Sequence, residues 1–108
     1  YVDNAPSPLQ ITAETRAAVG KNFMIAIDSG PRRGSDIIKA IACGADLVMS
    51  GRPTLYGCAV AGEDGVYRAL EIFYEEMDRT MAQLGLNDIP DIGPQIFWNP
   101  PNWALPPN

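Results

Sequence analysis

Phe23-Met24-Ile25-Ala26-Ile27-Asp28-Ser29-Gly30-Pro31-Arg32-Arg33-Gly34-Ser35-Asp36 is the stretch that decides how this chain folds, and Asp46-Leu47-Val48-Met49-Ser50-Gly51-Arg52-Pro53 repeats its logic. Each contains a short apolar run that does not alternate, as expected of a parallel strand buried on both faces. Each then passes through a glycine turn into a segment with helical spacing. Strand, turn and helix start are written twice.

Between the two strands, Ser35 or Asp36 can cap a helix that places Ile37, Ile38, Ile41 and Ala42 on one face, with Gly44 as its stop. Parallel neighbours need a crossover of this length, so the segment predicts a βαβ unit and an α/β fold.

The turns carry readable chemistry. A helix N-terminus exposes unpaired N–H groups and about half a positive charge, which attracts anions. Gly30, Gly34 and Gly51 let backbone approach an anion closely. Arg32, Arg33 and Arg52 add fixed charge in a fork that matches phosphate oxygens. One such turn is usually a plain surface turn. Two, each set between a strand and a helix, favour phosphate binding. Asp28, at the end of the first strand, reads equally well as a site residue or as a cap for the following turn.

Towards the N-terminus, Ser7-Pro8-Leu9-Gln10 has the form of a capping box with proline at the first helical position, predicting a helix over Pro8–Val19 ended by Gly20. Tyr1-Val2-Asp3-Asn4-Ala5-Pro6 reads as the end of a strand and its loop, so a fragment or processed chain is expected. Towards the C-terminus, a short helix over 53–61 is broken at Gly62, and a long one over 64–84 follows, with Val66, Leu70, Phe73, Met77, Met81 and Leu84 at core spacing. Glu75 and Arg79 are spaced as an i,i+4 pair. From Leu86 onward the prolines forbid a regular element, and Trp98 and Trp103 suggest a tail laid over an apolar surface. The chain thus divides into a barrel part, 1–85, and a Pro/Trp-rich tail, 86–108.

Composition limits the function. In 108 residues with a net charge of −5, six of the eight basic residues are Arg and three of those sit in the two turns. An acidic chain with such local positive charge does not suit nucleic acid, and a membrane surface is not expected either. Cys43 and Cys58 have neither a CxxC spacing nor a histidine to complete a metal site, so both are expected to be buried thiols and no metal is expected. No apolar run approaches about 18 residues, and a cytoplasmic location is expected.

Two phosphate-type turns with a short extra helix after the second suit the last two units of a (β/α)8 TIM barrel. Two strands cannot close one, and such barrels typically need about 250 residues. The rest of the barrel is expected in missing sequence or in a partner chain.

At these residues the sequence resembles the FMN-dependent α-hydroxy acid dehydrogenases and oxidases, which include glycolate oxidase, lactate oxidase and mandelate dehydrogenase. Asp28-Ser29-Gly30-Pro31-Arg32-Arg33-Gly34-Ser35-Asp36 is similar to the family's D-[GS]-G-V-R-R-G-[ST]-D. The similarity continues through Lys39-Ala40, Gly44-Ala45, Gly51-Arg52-Pro53, Leu55-Tyr56-Gly57, Gly62-Glu63, Gly65-Val66, Thr80-Met81 and Leu84-Gly85. The resemblance implies an FMN cofactor, with Asp28, Ser29, Gly30 and Arg32 along the ribityl-phosphate region, Arg33 near it, and Gly51 and Arg52 on the phosphate. Pro31 stands where the family usually has valine and offers no N–H.

The resemblance also implies a small 2-hydroxy acid substrate, oxidised to a 2-oxo acid by hydride transfer to FMN, and a homo-oligomer is expected. The family's catalytic His and Arg lie in H-G-[AG]-R, just before a stretch similar to Tyr1–Pro6, so no catalytic residue is expected in this chain, which has no histidine. Alone it is expected to be inactive. The competing readings are a piece of another phosphate-binding flavin or nucleotide barrel, such as inosine monophosphate dehydrogenase or the flavin-dependent isopentenyl diphosphate isomerase, and a non-catalytic assembly remnant.

Overall fold

A computed structural model describes residues 7–28 and 30–97. In order, the elements are α1 (Pro8–Val19), β1 (Ala26–Ile27), α2 (Gly34–Ala42), β2 (Leu47–Val48) and α3 (Arg52–Leu84), then two single 3-10 turns, Ile89–Asp91 and Pro94–Ile96. β1 and β2 pair in parallel, Ala26 opposite Leu47 and Ile27 opposite Val48. The α/β expectation and the βαβ unit hold. The two strands form an open pair and not a barrel.

α1 begins and ends at the predicted residues. Ser7 Oγ accepts the Gln10 N–H at 3.2 Å, Pro8 takes the first turn, and Gly20 at φ 80° turns the chain away. α2 differs at its start. Its N-cap is Arg33, while Asp36 acts from the third helical position, accepting the N–H groups of Arg32 and Arg33 at 3.0 Å each. Neither Ser35 nor Asp36 is the N-cap residue, because Gly34 already has helical geometry once the Asp36 carboxylate can fold back over the turn.

α2 is the middle layer. Ala40 packs with Ile27 and Ala45, with Leu9 and Val48 at the edge. Ile38 and Ala42 pack with Ile92, and around them lie Ile41, Met77, Met81, Leu86, Ile96 and Phe97. Ile38, 1% exposed, contributes about 1.5–3 kcal/mol by its burial. Described residues of the tail therefore close over α2 and α3, and Pro90 and Pro94 fit 3-10 turns by occupying first-turn positions. Trp98 and Trp103 lie outside the described residues.

The strands are shorter and barer than predicted. Only Ala26 and Ile27 of the run 23–27 are paired, and Phe23 and Met24 are 62% and 67% exposed. Leu47 and Met49 are exposed as well. Among the described residues β1 has one hydrogen-bonded neighbour, and α2 together with Leu9 of α1 packs against the pair. The apolar pattern is that of a strand with more neighbours than the described residues supply.

α3 is two helical arms joined at a kink, where Ala61 (φ −145°, ψ 21°) and Gly62 (φ 60°, ψ −135°) leave helical geometry. The short and long helices predicted on either side of Gly62 are these arms. Gly62 makes the break possible, since its φ/ψ pair is one that L side chains avoid. Of the predicted core stripe, Phe73 is buried and Met77 and Met81 pack against Ile38, but Leu70 and Leu84 are exposed. Glu75 does not pair with Arg79; its carboxylate accepts from Arg68 at 3.3 Å. Cys43 is buried, and desolvation pushes its thiol up to about 11. Cys58 is exposed, against expectation, because the short arm of α3 lies outside the α2 core.

Candidate functional site

Parallel pairing fixes where the two turns lie. β1 and β2 run the same way in register, and Met49 N–H still bonds the Ile27 carbonyl at 2.8 Å. The chain therefore leaves both strands at one edge, with Asp28 and Gly30 beyond β1 and Ser50, Gly51 and Arg52 beyond β2. Gly30 has φ 130°, which glycine alone adopts without strain. Ser29 lies outside the described residues.

The opposite edge is closed by one arginine. Arg16 is 8% exposed. Its guanidinium donates to the carbonyls of Gly44 (3.0 and 2.7 Å), Gly20 (2.7 Å) and Phe23 (2.8 Å) and to Asp46 Oδ2 (2.6 Å). Asp46 also accepts the Ile25 N–H at 2.9 Å. That backbone bond first, and Arg16 second, hold the Asp46 carboxyl below its usual range. The sequence alone does not reveal this network, because Arg16 and Asp46 are 30 residues apart.

At the edge that carries the two turns, the two helix starts differ. The N-terminus of α2 is already filled by carboxylates: Asp36 accepts from Arg32 N–H and Arg33 N–H, and Glu76 Oε1 accepts from Gly34 N–H at 2.8 Å. Glu76 Oε2 meets Arg33 Nε at 2.8 Å and its terminal nitrogen at 2.6 Å. The bond from Arg33 and then the one from Gly34 hold the Glu76 carboxyl below its usual range. Of the three turn arginines, Arg33 is thus drawn to α3, and Arg32 is exposed at the edge.

The start of α3 is built differently. Gly51 is its N-cap and supplies no side-chain cap, and a Cβ added there would meet nothing within 4 Å. Just before it, Ser50 Oγ is buried and has no hydrogen-bond partner among the described residues. A buried hydroxyl without a partner costs free energy. It sits one residue before the N-cap of α3, where the positive end of the helix favours an anion. Both Ser50 and Glu76 were missed in the sequence. Ser50 had a local signal, a polar residue closing an apolar strand; Glu76 had none.

Parallel strands joined by a helical crossover, with both glycine turns at the strands' C-terminal ends, define an α/β protein. The chain belongs to the FMN-dependent dehydrogenase family, which it matches over residues 1–99. It is 47% identical over 98 residues to (S)-mandelate dehydrogenase of Pseudomonas putida, covering 91% of this chain and 24% of that protein. It is 35% identical, also over 98 residues, to a 2-hydroxyacid oxidase of Dictyostelium discoideum, covering 91% of this chain and 25% of that protein. A crystal structure of the monotopic membrane protein (S)-mandelate dehydrogenase superposes with a TM-score of 0.83 at 46% identity, over 88% of this chain and 25% of that one. The chain spans about a quarter of the length of these relatives. The family's cofactor is FMN and its chemistry is the oxidation of 2-hydroxy acids. Among the described residues no helix is long and apolar enough to cross a membrane, and no cluster of side chains could hold a metal ion.

Proposed function

We propose that these residues form the FMN-phosphate seat of an enzyme that oxidises 2-hydroxy acids to 2-oxo acids. The observation that carries this is the helix start at Gly51, which has no side-chain cap, preceded by the buried Ser50 hydroxyl, which has no partner among the described residues, and followed by Arg52. This donor set fits a phosphate: a hydroxyl, a positive helix end and a guanidinium, with no side chain on Gly51 to obstruct it.

In this reading Gly51 and Arg52 hold the phosphate, Ser50 donates to it, and Arg32 adds charge from the neighbouring turn. Asp28, Ser29 and Gly30 line the ribityl chain. Pro31 presents no N–H and so supplies no backbone donor. Arg33 keeps to the edge of the seat, because Glu76 holds its guanidinium. Bound FMN supplies the redox chemistry.

Proton removal from the substrate hydroxyl needs a base within hydrogen-bond reach, most often His. We assign that base, and the group that anchors the substrate carboxylate, to the part of the relatives' length these residues do not span. The remaining strands, from the same or another chain, would cover the bare strand faces, and the whole protein would be a cytoplasmic homo-oligomer. The test is FMN titration of the full-length apoprotein and its Arg52→Ala variant, with anaerobic mixing against a panel of 2-hydroxy acids. Unchanged FMN affinity in the variant removes the phosphate seat; no substrate-dependent bleaching of the flavin removes the proposed reaction.

A further inference from the structure

Glu76 stands on the long arm of α3, the helix that leaves the second turn, yet its carboxylate is engaged at the first. One oxygen accepts the Gly34 N–H and the other accepts two nitrogens of Arg33. The Glu76 side chain is 18% exposed. Gly34 has no room for a side chain: a Cβ there would lie 2.5 Å from both Glu76 Cβ and the Met77 nitrogen. The start of α2 is therefore seated directly on α3, and the carboxylate locks that seat.

Two consequences follow for an anion at this edge. First, α3 carries the second turn at its start and grips the first turn through Glu76, so one side chain ties the two turns together. Second, Glu76 and Asp36 between them occupy the amides of Arg32, Arg33 and Gly34, which closes the α2 N-terminus to another anion. The positive charge of Arg33 is matched there too.

Resting on the phosphate seat proposed above, we infer that Glu76 is a positioning residue for it. Glu76 holds the first turn in register with the second and directs the cofactor phosphate to residues 50–52 and Arg32, away from the start of α2.

The test uses the full-length apoprotein and two ligands, FMN and riboflavin, which differ by the phosphate. Glu76→Ala lowers the ratio of FMN to riboflavin affinity roughly tenfold, about the worth of one charge-assisted hydrogen bond; riboflavin itself loses less, through the ribityl contacts of the first turn. A residue that merely stabilises the fold would move both ligands together or neither. Glu76→Gln keeps an oxygen for the Gly34 N–H and loses the ion pair. It lowers the FMN-to-riboflavin ratio by a smaller factor, and it decides the matter if Glu76→Ala does not fold. An unchanged or raised ratio in the folded Glu76 variants overturns the inference. Arg52→Ala in the same assay separates the two levels. If it lowers the ratio while the Glu76 variants do not, the seat stands and the role of Glu76 falls; if it too leaves the ratio unchanged, the seat falls and the inference with it.

Discussion

Gly57 and Gly65 meet backbone to backbone across the kink of α3, so that a Cβ on either would collide with the carbonyl of the other. The fold at Ala61 and Gly62 brings the short arm back against the long one, and only two glycines allow so close a contact. The short arm begins at the second turn, so this contact also anchors residues 51 and 52.

Gly57→Ala and Gly65→Ala are each expected to destabilise the full-length protein by about 1–3 kcal/mol, the usual cost of overpacking a close contact. Urea denaturation would measure it. Because the two glycines share one contact, the double variant is expected to lose less than the sum of the single changes.

Arg16→Ala should cost about 3 kcal/mol or more, since it leaves the carbonyls of Gly20, Phe23 and Gly44 without their charged donor. Arg16→Lys should recover only part of the loss, because a single ammonium cannot span the same acceptors. FMN affinity at saturating folded protein should be unaffected, as this network closes the edge away from the turns.

Arg52→Ala is expected to weaken FMN binding roughly ten- to a hundredfold, the worth of a charge-assisted bond of about 1.5–3 kcal/mol. Ser50→Ala should weaken FMN less, by roughly three- to tenfold, because the hydroxyl brings one donor and no charge of its own to the phosphate. Fluorescence titration of the apoprotein would rank them, and equal affinities in all three proteins would contradict the seat.

Acid should loosen the structure through two carboxyls. Asp46 is held low by Ile25 N–H and Arg16, and Glu76 by Arg33 and Gly34 N–H. The unfolded chain therefore takes up these protons first as pH falls. The stability they contribute is fully present above the ordinary carboxylate range and is lost as pH falls through it towards the depressed folded values. Denaturation midpoints measured between about pH 6 and pH 3 should fall with acid, and Asp46→Asn should flatten that dependence.

The segment expressed alone is expected to self-associate, because Phe23, Met24, Leu47 and Met49 leave the strand pair bare. Analytical ultracentrifugation giving a monodisperse monomer would contradict this.

Local sequence determined whatever depends on near neighbours. Ser7, Pro8 and Gly20 bounded α1, Gly62 set the break in α3, and the two apolar runs with their glycine turns were enough to write a parallel βαβ unit. The second turn, with Gly51 as the cap of α3 and Arg52 as its first residue, was legible for the same reason, since a strand end, a glycine and a helix start are consecutive in the chain. Tertiary structure alone decided which carboxylate meets which cation. Arg33 went to Glu76, 43 residues away, and Arg16 to Asp46, 30 residues away. No spacing rule reaches that far: these pairs exist because α2 packs on α3 and on the strands, and packing is what brings distant charges within hydrogen-bond distance. It also decided that apolar strands could remain uncovered. The hydrophobic pattern states what a strand should touch, and only the assembled chain shows that most of those neighbours are not among its described residues.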